Sequence, residues 1–176
     1  MVGSVHFRLR RWIAVCGAVA AFAISACDSS GRAYEDLRLA RLTEGKSTEQ
    51  EVRQLFGEPT AVRDVAGGKG LVYPLGPEGP HTLLMKIGAD GKYLGREDLL
   101  ARSNLDRITP GMKERDVLVA LGRPGHAKKN PLKRQTTWEW HFNDRVDTRM
   151  FVVTFDESGT VVSTAVEEDP RRFGGR

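Results

Sequence analysis

The sequence predicts an α+β protein of two tandem helix-plus-antiparallel-meander units, of ααβββ type, with helices on one face of a sheet. Three observations predict it. Leu39-Ala40-Arg41-Leu42-Thr43-Glu44-Gly45, then Val52, Phe56-Gly57 and Pro59, is matched by Leu105-Asp106-Arg107-Ile108-Thr109-Pro110-Gly111, then Val117, Leu121-Gly122 and Pro124. The offset is 66 at Gly45/Gly111 and 65 at Gly57/Gly122, so one residue is missing from the second copy. A repeat at fixed period means one supersecondary unit used twice. Second, Val52/Phe56 and Val117/Leu121 are each four apart and share a helical face. Third, after each Gly-x-Pro the apolar period changes to two, as in half-buried strands.

Residues 1–26 read as an export signal. Arg8, Arg10 and Arg11 give a positive start with no acidic residue, and Trp12–Ile24 is an apolar run of 13 residues. That run is too short to span a bilayer. Arg10-Arg11 also suggests twin-arginine export, but its flanking residues fit poorly. The segment ends Ile24-Ser25-Ala26-Cys27, which resembles the bacterial lipobox. The resemblance implies that Cys27 becomes the first residue and carries acyl chains, with Ile24, Ser25 and Ala26 admitting the signal peptidase. Two or more acyl chains hold a protein stably at a membrane, at about 0.8 kcal/mol per buried methylene. Residues 27–33 are small and polar and read as a tether.

The first unit is placed at 34–102. Ser47 and Gln50 fit a capping box. Gly57 suits a left-handed residue after a helix, and Pro59 stops continuation. Leu71–Leu75, Thr82–Ile87 and Tyr93-Leu94 read as strands, with a turn at Ala89-Asp90-Gly91. The second unit is placed at 103–168. Thr109-Pro110 suits an N-cap and first turn, so a short helical turn is expected before each main helix. Trp138, Trp140 and Phe142 alternate with Thr137, Glu139 and His141. Met150–Phe155 and Val161–Val166 complete the meander around the turn Asp156-Glu157-Ser158-Gly159. Residues 169–176 read as a frayed tail. A unit of about 60 residues buries only about 60% of its surface, so the two are expected to dock, sharing a sheet whose other face is open.

Composition narrows the chemistry. The chain has 27 basic and 23 acidic residues; losing Arg8, Arg10 and Arg11 with the signal leaves 24 against 23, no charge excess to bind nucleic acid. Of two cysteines, Cys16 leaves with the signal and Cys27 is capped, so neither disulfide nor thiol chemistry is expected. His81, His126 and His141 stand at no metal-ligand spacing. No Gly-x-Ser-x-Gly elbow, Walker loop or Gly-x-Gly-x-x-Gly motif is present. The expectation is a non-enzyme with no metal and no cofactor.

Two sets of residues are candidates for contact. If Trp138, Trp140 and Phe142 are core, Glu139 and His141 face outward as partner-binding residues. Tyr73, at the place of Trp140 in the first copy, joins them beside the Gly-Pro-rich loop 76–80. His126–Arg134 reads as a solvated loop, and its Lys128, Lys129, Lys133 and Arg134 are candidates for contact with anionic lipid headgroups.

The pattern Thr-x-Gly, Val-x-x-x-(Phe/Leu)-Gly-x-Pro, Trp-x-Trp and Phe-Asp-x-x-Gly resembles the SmpA/OmlA (BamE-like) lipoprotein family, most fully over Ile108–Val162 and more loosely over Leu42–Leu94. Members of that type are usually one module; tandem modules of similar fold occur in the secreted β-lactamase inhibitor proteins. The resemblance implies a periplasm-facing lipoprotein that binds envelope proteins, among them the β-barrel assembly machine. It favours the outer membrane, whereas Asp28 after the lipidated cysteine would suit inner-membrane retention in enteric bacteria. The alternative is an inhibitor or ligand-binding lipoprotein acting on an envelope enzyme.

Overall fold

The computed structural model describes residues 37–169 except 77, 145 and 146. The segments read as export signal, lipobox and tether, and residues 170–176, lie outside the described residues. From Arg38 onward the described chain forms one compact unit. It runs α1 (Glu49–Phe56), β1 (Ala61–Val65), β2 (Gly68–Pro74), β3 (Thr82–Gly88), β4 (Tyr93–Asp98), α2 (Arg102–Leu105), α3 (Glu114–Leu121), β5 (His126–Asn130), β6 (Gln135–Asp144), β7 (Asp147–Phe155) and β8 (Val161–Glu168).

The strands form two four-stranded antiparallel meanders, β1-β2-β3-β4 and β5-β6-β7-β8. The architecture is therefore α+β with two tandem units, but two expectations are corrected. The units do not share a sheet, and each meander of three strands or more has four, one beyond the ααβββ pattern. The extra strands, β1 and β5, both follow the Gly-x-Pro and both lie at sheet edges.

The repeat is carried down to single hydrogen bonds. Gly45 N–H donates to Tyr93 O at 2.8 Å, and Gly111 N–H to Val161 O at 2.9 Å. The first helical amide of each main helix donates into the last turn of its own meander: Glu49 N–H to Gly91 O at 3.0 Å, Glu114 N–H to Gly159 O at 2.9 Å. These bonds use amides that a helix leaves unpaired. Both third strands also slip register near their ends, between Lys86 and Ile87 and between Thr154 and Phe155. Between Gly45 and Thr48 there are two residues, but only Met112 separates Gly111 from Lys113. The residue missing from the second copy is missing there.

The α1 capping box lies one residue later than expected. Thr48 Oγ1 accepts from Glu51 N–H at 3.3 Å, and the Glu51 carboxylate accepts from Thr48 N–H at 2.6 Å. Ser47 instead accepts from Thr43 N–H at 3.1 Å and closes the preceding turn. Both registers satisfy the pattern, but a carboxylate makes the stronger bond and suits the positive helix end. The Thr48 amide and hydroxyl hold the Glu51 carboxyl below its ordinary value. α3 starts at Lys113 with no side-chain cap. Thr109-Pro110 forms a turn, with Met112 N–H donating to Thr109 O at 3.3 Å, rather than a helix start. Short helical stretches do precede each main helix, but they lie earlier than expected, at residues 37–39 and in α2.

Each helix buries the predicted face. Val52 and Phe56 pack with Leu71, Tyr73, Met85 and Ile87. Val117 and Leu121 pack with Trp140, Phe142, Val153 and Phe155, and Trp138 lies against them. The aromatic stripe of β6 is thus core, as expected. A smaller cluster of Val72, Leu84 and Leu99 occupies the opposite face of the first sheet. The C-terminal end of α3 abuts that face. An added Cβ at Gly122 would lie 3.0 Å from Thr82 Cγ2 and 3.8 Å from Val72 Cγ1. The Arg63 guanidinium donates to Val119 O.

Candidate functional site

The first unit's core holds Tyr73, which is 4% exposed. Its ring lies 5.6 Å from that of Phe56, and its hydroxyl donates to Gly57 O at 3.0 Å. Burial raises the phenol above its ordinary value. Tyr73 therefore ties sheet to helix end and offers no surface to a partner. Tyr73→Phe removes the only donor in that side chain and is expected to cost about 1 kcal/mol. Chemical denaturation would measure it, and an unchanged midpoint would contradict this role for the hydroxyl.

Glu139 and His141 are corrected in the same way. They sit opposite the aromatic stripe, as the alternation requires, but are only 8% and 4% exposed. Met150 and Val152, beside them in β7, are also buried. The second sheet is not open at its centre. Glu139 accepts from Lys128 Nζ at 2.9 and 3.2 Å. His141 Nε2 lies 3.7 Å from Asp169 Oδ1, and Asp169 is itself buried rather than frayed. Alternation separates two faces; it does not say which is covered.

What covers part of this face is the other unit. His126 Nε2 lies 2.8 Å from Glu78 Oε1. The Asn143 amide donates to His81 Nε2 at 3.0 Å, while Thr148 Oγ1 donates to Asn143 Oδ1 at 3.1 Å. That arrangement places the His81 proton on Nδ1, which donates to Asp98 Oδ2 at 2.6 Å. Asp98 Oδ1 also accepts from Thr82 and Leu100 amides at 3.2 and 3.0 Å. All three described histidines thus face a carboxylate near the junction of the units. The His81–Asp98 pair has the look of a general-base dyad, but its second nitrogen is engaged by Asn143.

The adjoining cavity, of about 20 Å³, is lined by Pro74, Gly79, Thr82, Leu100, Arg123 and Trp140 among others. That is room for about one water. Trp140 Nε1 has no hydrogen-bond partner among the described residues and is itself inaccessible. Among the described residues no group of three or more His, Cys, Asp or Glu could hold a metal ion, and no helix is long and apolar enough to cross a membrane.

The basic segment is not a loop. His126–Asn130 forms edge strand β5, exposed throughout, and Pro131–Arg134 turns into β6. Asn130 Oδ1 accepts from Lys133 N–H at 3.1 Å, and Arg134 adopts φ 52°. Lys128 is paired with Glu139, and Arg134 with Glu157 at 3.5 Å. Lys129 and Lys133 have no carboxylate partner among the described residues. Sequence reading missed Leu132 at the tip, which is 97% exposed. Its only signal is one apolar residue inside a charged run.

No protein-family model matches this chain, and no curated protein does. Solved structures do resemble it. The osmotically inducible lipoprotein OsmE matches at 24% identity over 40% of this chain and 75% of its own, with a TM-score of 0.33. A protein named as a β-lactamase inhibitor protein, from Streptococcus mutans, matches at 11% identity over 76% and 94%, with a TM-score of 0.34. A DUF4309 family protein, YjgB, from Bacillus subtilis matches at 16% identity over 73% and 83%, with a TM-score of 0.29.

Proposed function

We propose that this chain is a lipid-anchored cell-envelope protein and a non-catalytic protein-binding module that supports outer-membrane β-barrel assembly or integrity. The carrying observation is a basic start and apolar run, read as an export signal, ending Ile24-Ser25-Ala26-Cys27 before two copies of one small module. The geometry supports binding over catalysis. The junction's titratable groups face one another, and its cavity has room for about one water. Tyr73, Glu139 and His141 are buried, so the partner surface in this proposal lies on the exposed strand edges.

Cys27→Ser should move the protein from the membrane to the soluble fraction with its thermal unfolding unchanged. Mass spectrometry should find acyl chains on the first residue of the native form. Retention of Cys27→Ser at the membrane after salt washing would put the anchor elsewhere. The tandem arrangement favours a second reading, an inhibitor of an envelope enzyme. Cross-linking in cells separates the two: barrel-assembly subunits support the first, a soluble hydrolase the second.

A further inference from the structure

We propose that the β5–β6 hairpin is a second membrane contact, with Leu132 inserted into an anionic bilayer interface and Lys129, Lys133 and Arg134 against its headgroups. The proposal deepens the envelope reading, resting on it only for nearness to a bilayer.

Leu132 stands out by its exposure. At 97% exposure it is the most exposed large apolar residue described, against 37–67% for the others. A single exposed leucine normally needs no explanation. This one stands at the apex of a four-residue turn, the one place on a hairpin that can enter an interface without unfolding anything. Its neighbours fit the same surface. Lys129 and Lys133 are uncompensated by any described carboxylate, and Arg134 is held by Glu157 only at 3.5 Å between two largely exposed side chains. Such a pair contributes little against water. Lys128 is committed to Glu139 and is left out of the contact.

The backbone holds the tip in place. Asn130 pairs with Gln135, its side chain caps Lys133 N–H, and Arg134 N–H donates to Pro131 O at 3.3 Å. A preformed tip loses little conformational freedom on docking. Charge complementarity selects the occupant. A second copy would set lysine against lysine across the β5 edge, as lysines on edge strands commonly do to prevent pairing. An acidic protein would satisfy the cations but leaves the leucine without a role. An anionic interface accepts both, because cations gain near the headgroups and an apolar tip gains below them.

The test uses the chain from residue 27 with Cys27→Ser, floated with vesicles of phosphatidylcholine alone or mixed with phosphatidylserine. Binding is expected only to the mixed vesicles and should be lost at high salt. Each cation removed should lower partitioning about fivefold, so Lys129→Gln with Lys133→Gln should lower it about 25-fold; Leu132→Ser should lower it about tenfold. Leu132→Trp should become quenched by brominated acyl chains. All of these side chains are exposed, so melting should not change. Equal binding to both vesicle types, no binding, or full binding by the variants would overturn the proposal. So would variants that bind vesicles normally but lose an acidic protein partner. Failure here would leave the acylation and cross-linking results standing, so the two readings are judged separately.

Discussion

Val117→Asp should unfold the second unit. Val117 is fully buried in the cluster formed by Leu121, Trp140, Phe142 and Phe155. A carboxylate there has no cation within the cluster to meet it. It must either ionise unpaired or protonate and remain an unsatisfied polar group. The valine's own burial, worth about 1.5–3 kcal/mol, is lost as well. The expected cost is at least about 4 kcal/mol, a large share of the 5–15 kcal/mol that holds a typical domain. Val119→Asp is the control: it lies two residues along the same helix but is 56% exposed, and should change stability by no more than about 0.5 kcal/mol. Thermal unfolding of both variants decides the matter. Comparable melting would mean that the helix face has been assigned wrongly. Because the end of α3 also abuts Thr82 and Val72, loss of α3 should loosen the first sheet too, and unfolding should be one transition rather than two.

Much of this fold was legible in the residues. The four-residue spacing of Val52/Phe56 and Val117/Leu121 gave the buried helix faces, and the alternation through Trp138, Trp140 and Phe142 gave the strand. What failed to show has identifiable causes. β5 is His-Ala-Lys-Lys-Asn, exposed at every position, so no apolar period marks it. It exists because β6 supplies a partner for its backbone, not because its side chains bury. The start of α1 was misplaced by one residue because two capping patterns overlap there, and no side-chain cap marks the start of α3. Glu139 and His141 were read as outward because a strand's period of two separates faces but is silent on tertiary covering. Only the folded chain brings Glu78 and His81 across to that side. Leu132 escaped notice because exposure is decided by the hairpin, not by the leucine.

The repeated glycine after each main helix offers the most discriminating experiment on the junction, and substituting alanine there should be costly. Gly57 has φ 81° and ψ −161°, and Gly122 has φ 80° and ψ −169°. The positive φ was expected, but this is not the left-handed helical cap: ψ is extended, in a region open essentially to glycine alone. Pro59 and Pro124 follow at the same distance, so both copies leave the helix by the same sharp exit. Backbone strain alone should cost about 1–3 kcal/mol at either site. The surroundings then separate them. A Cβ at position 57 meets no heavy atom within 4 Å, whereas one at 122 comes within 3.0 Å of Thr82 Cγ2. Thr82 is 2% exposed and its amide is held by Asp98, so it has little room to yield. Gly122→Ala should therefore destabilise by about 1 kcal/mol more than Gly57→Ala, at the low end for overpacking. Thr82→Ser removes the opposing methyl group. In that background the extra cost of Gly122→Ala should disappear while the cost shared with Gly57→Ala remains. A double-mutant cycle in urea measures that difference directly. If Thr82→Ser leaves the Gly122→Ala penalty unchanged, the end of α3 does not press on the first sheet. Other contacts between the units, among them Arg63–Val119, His126–Glu78 and Asn143–His81, would then hold them together.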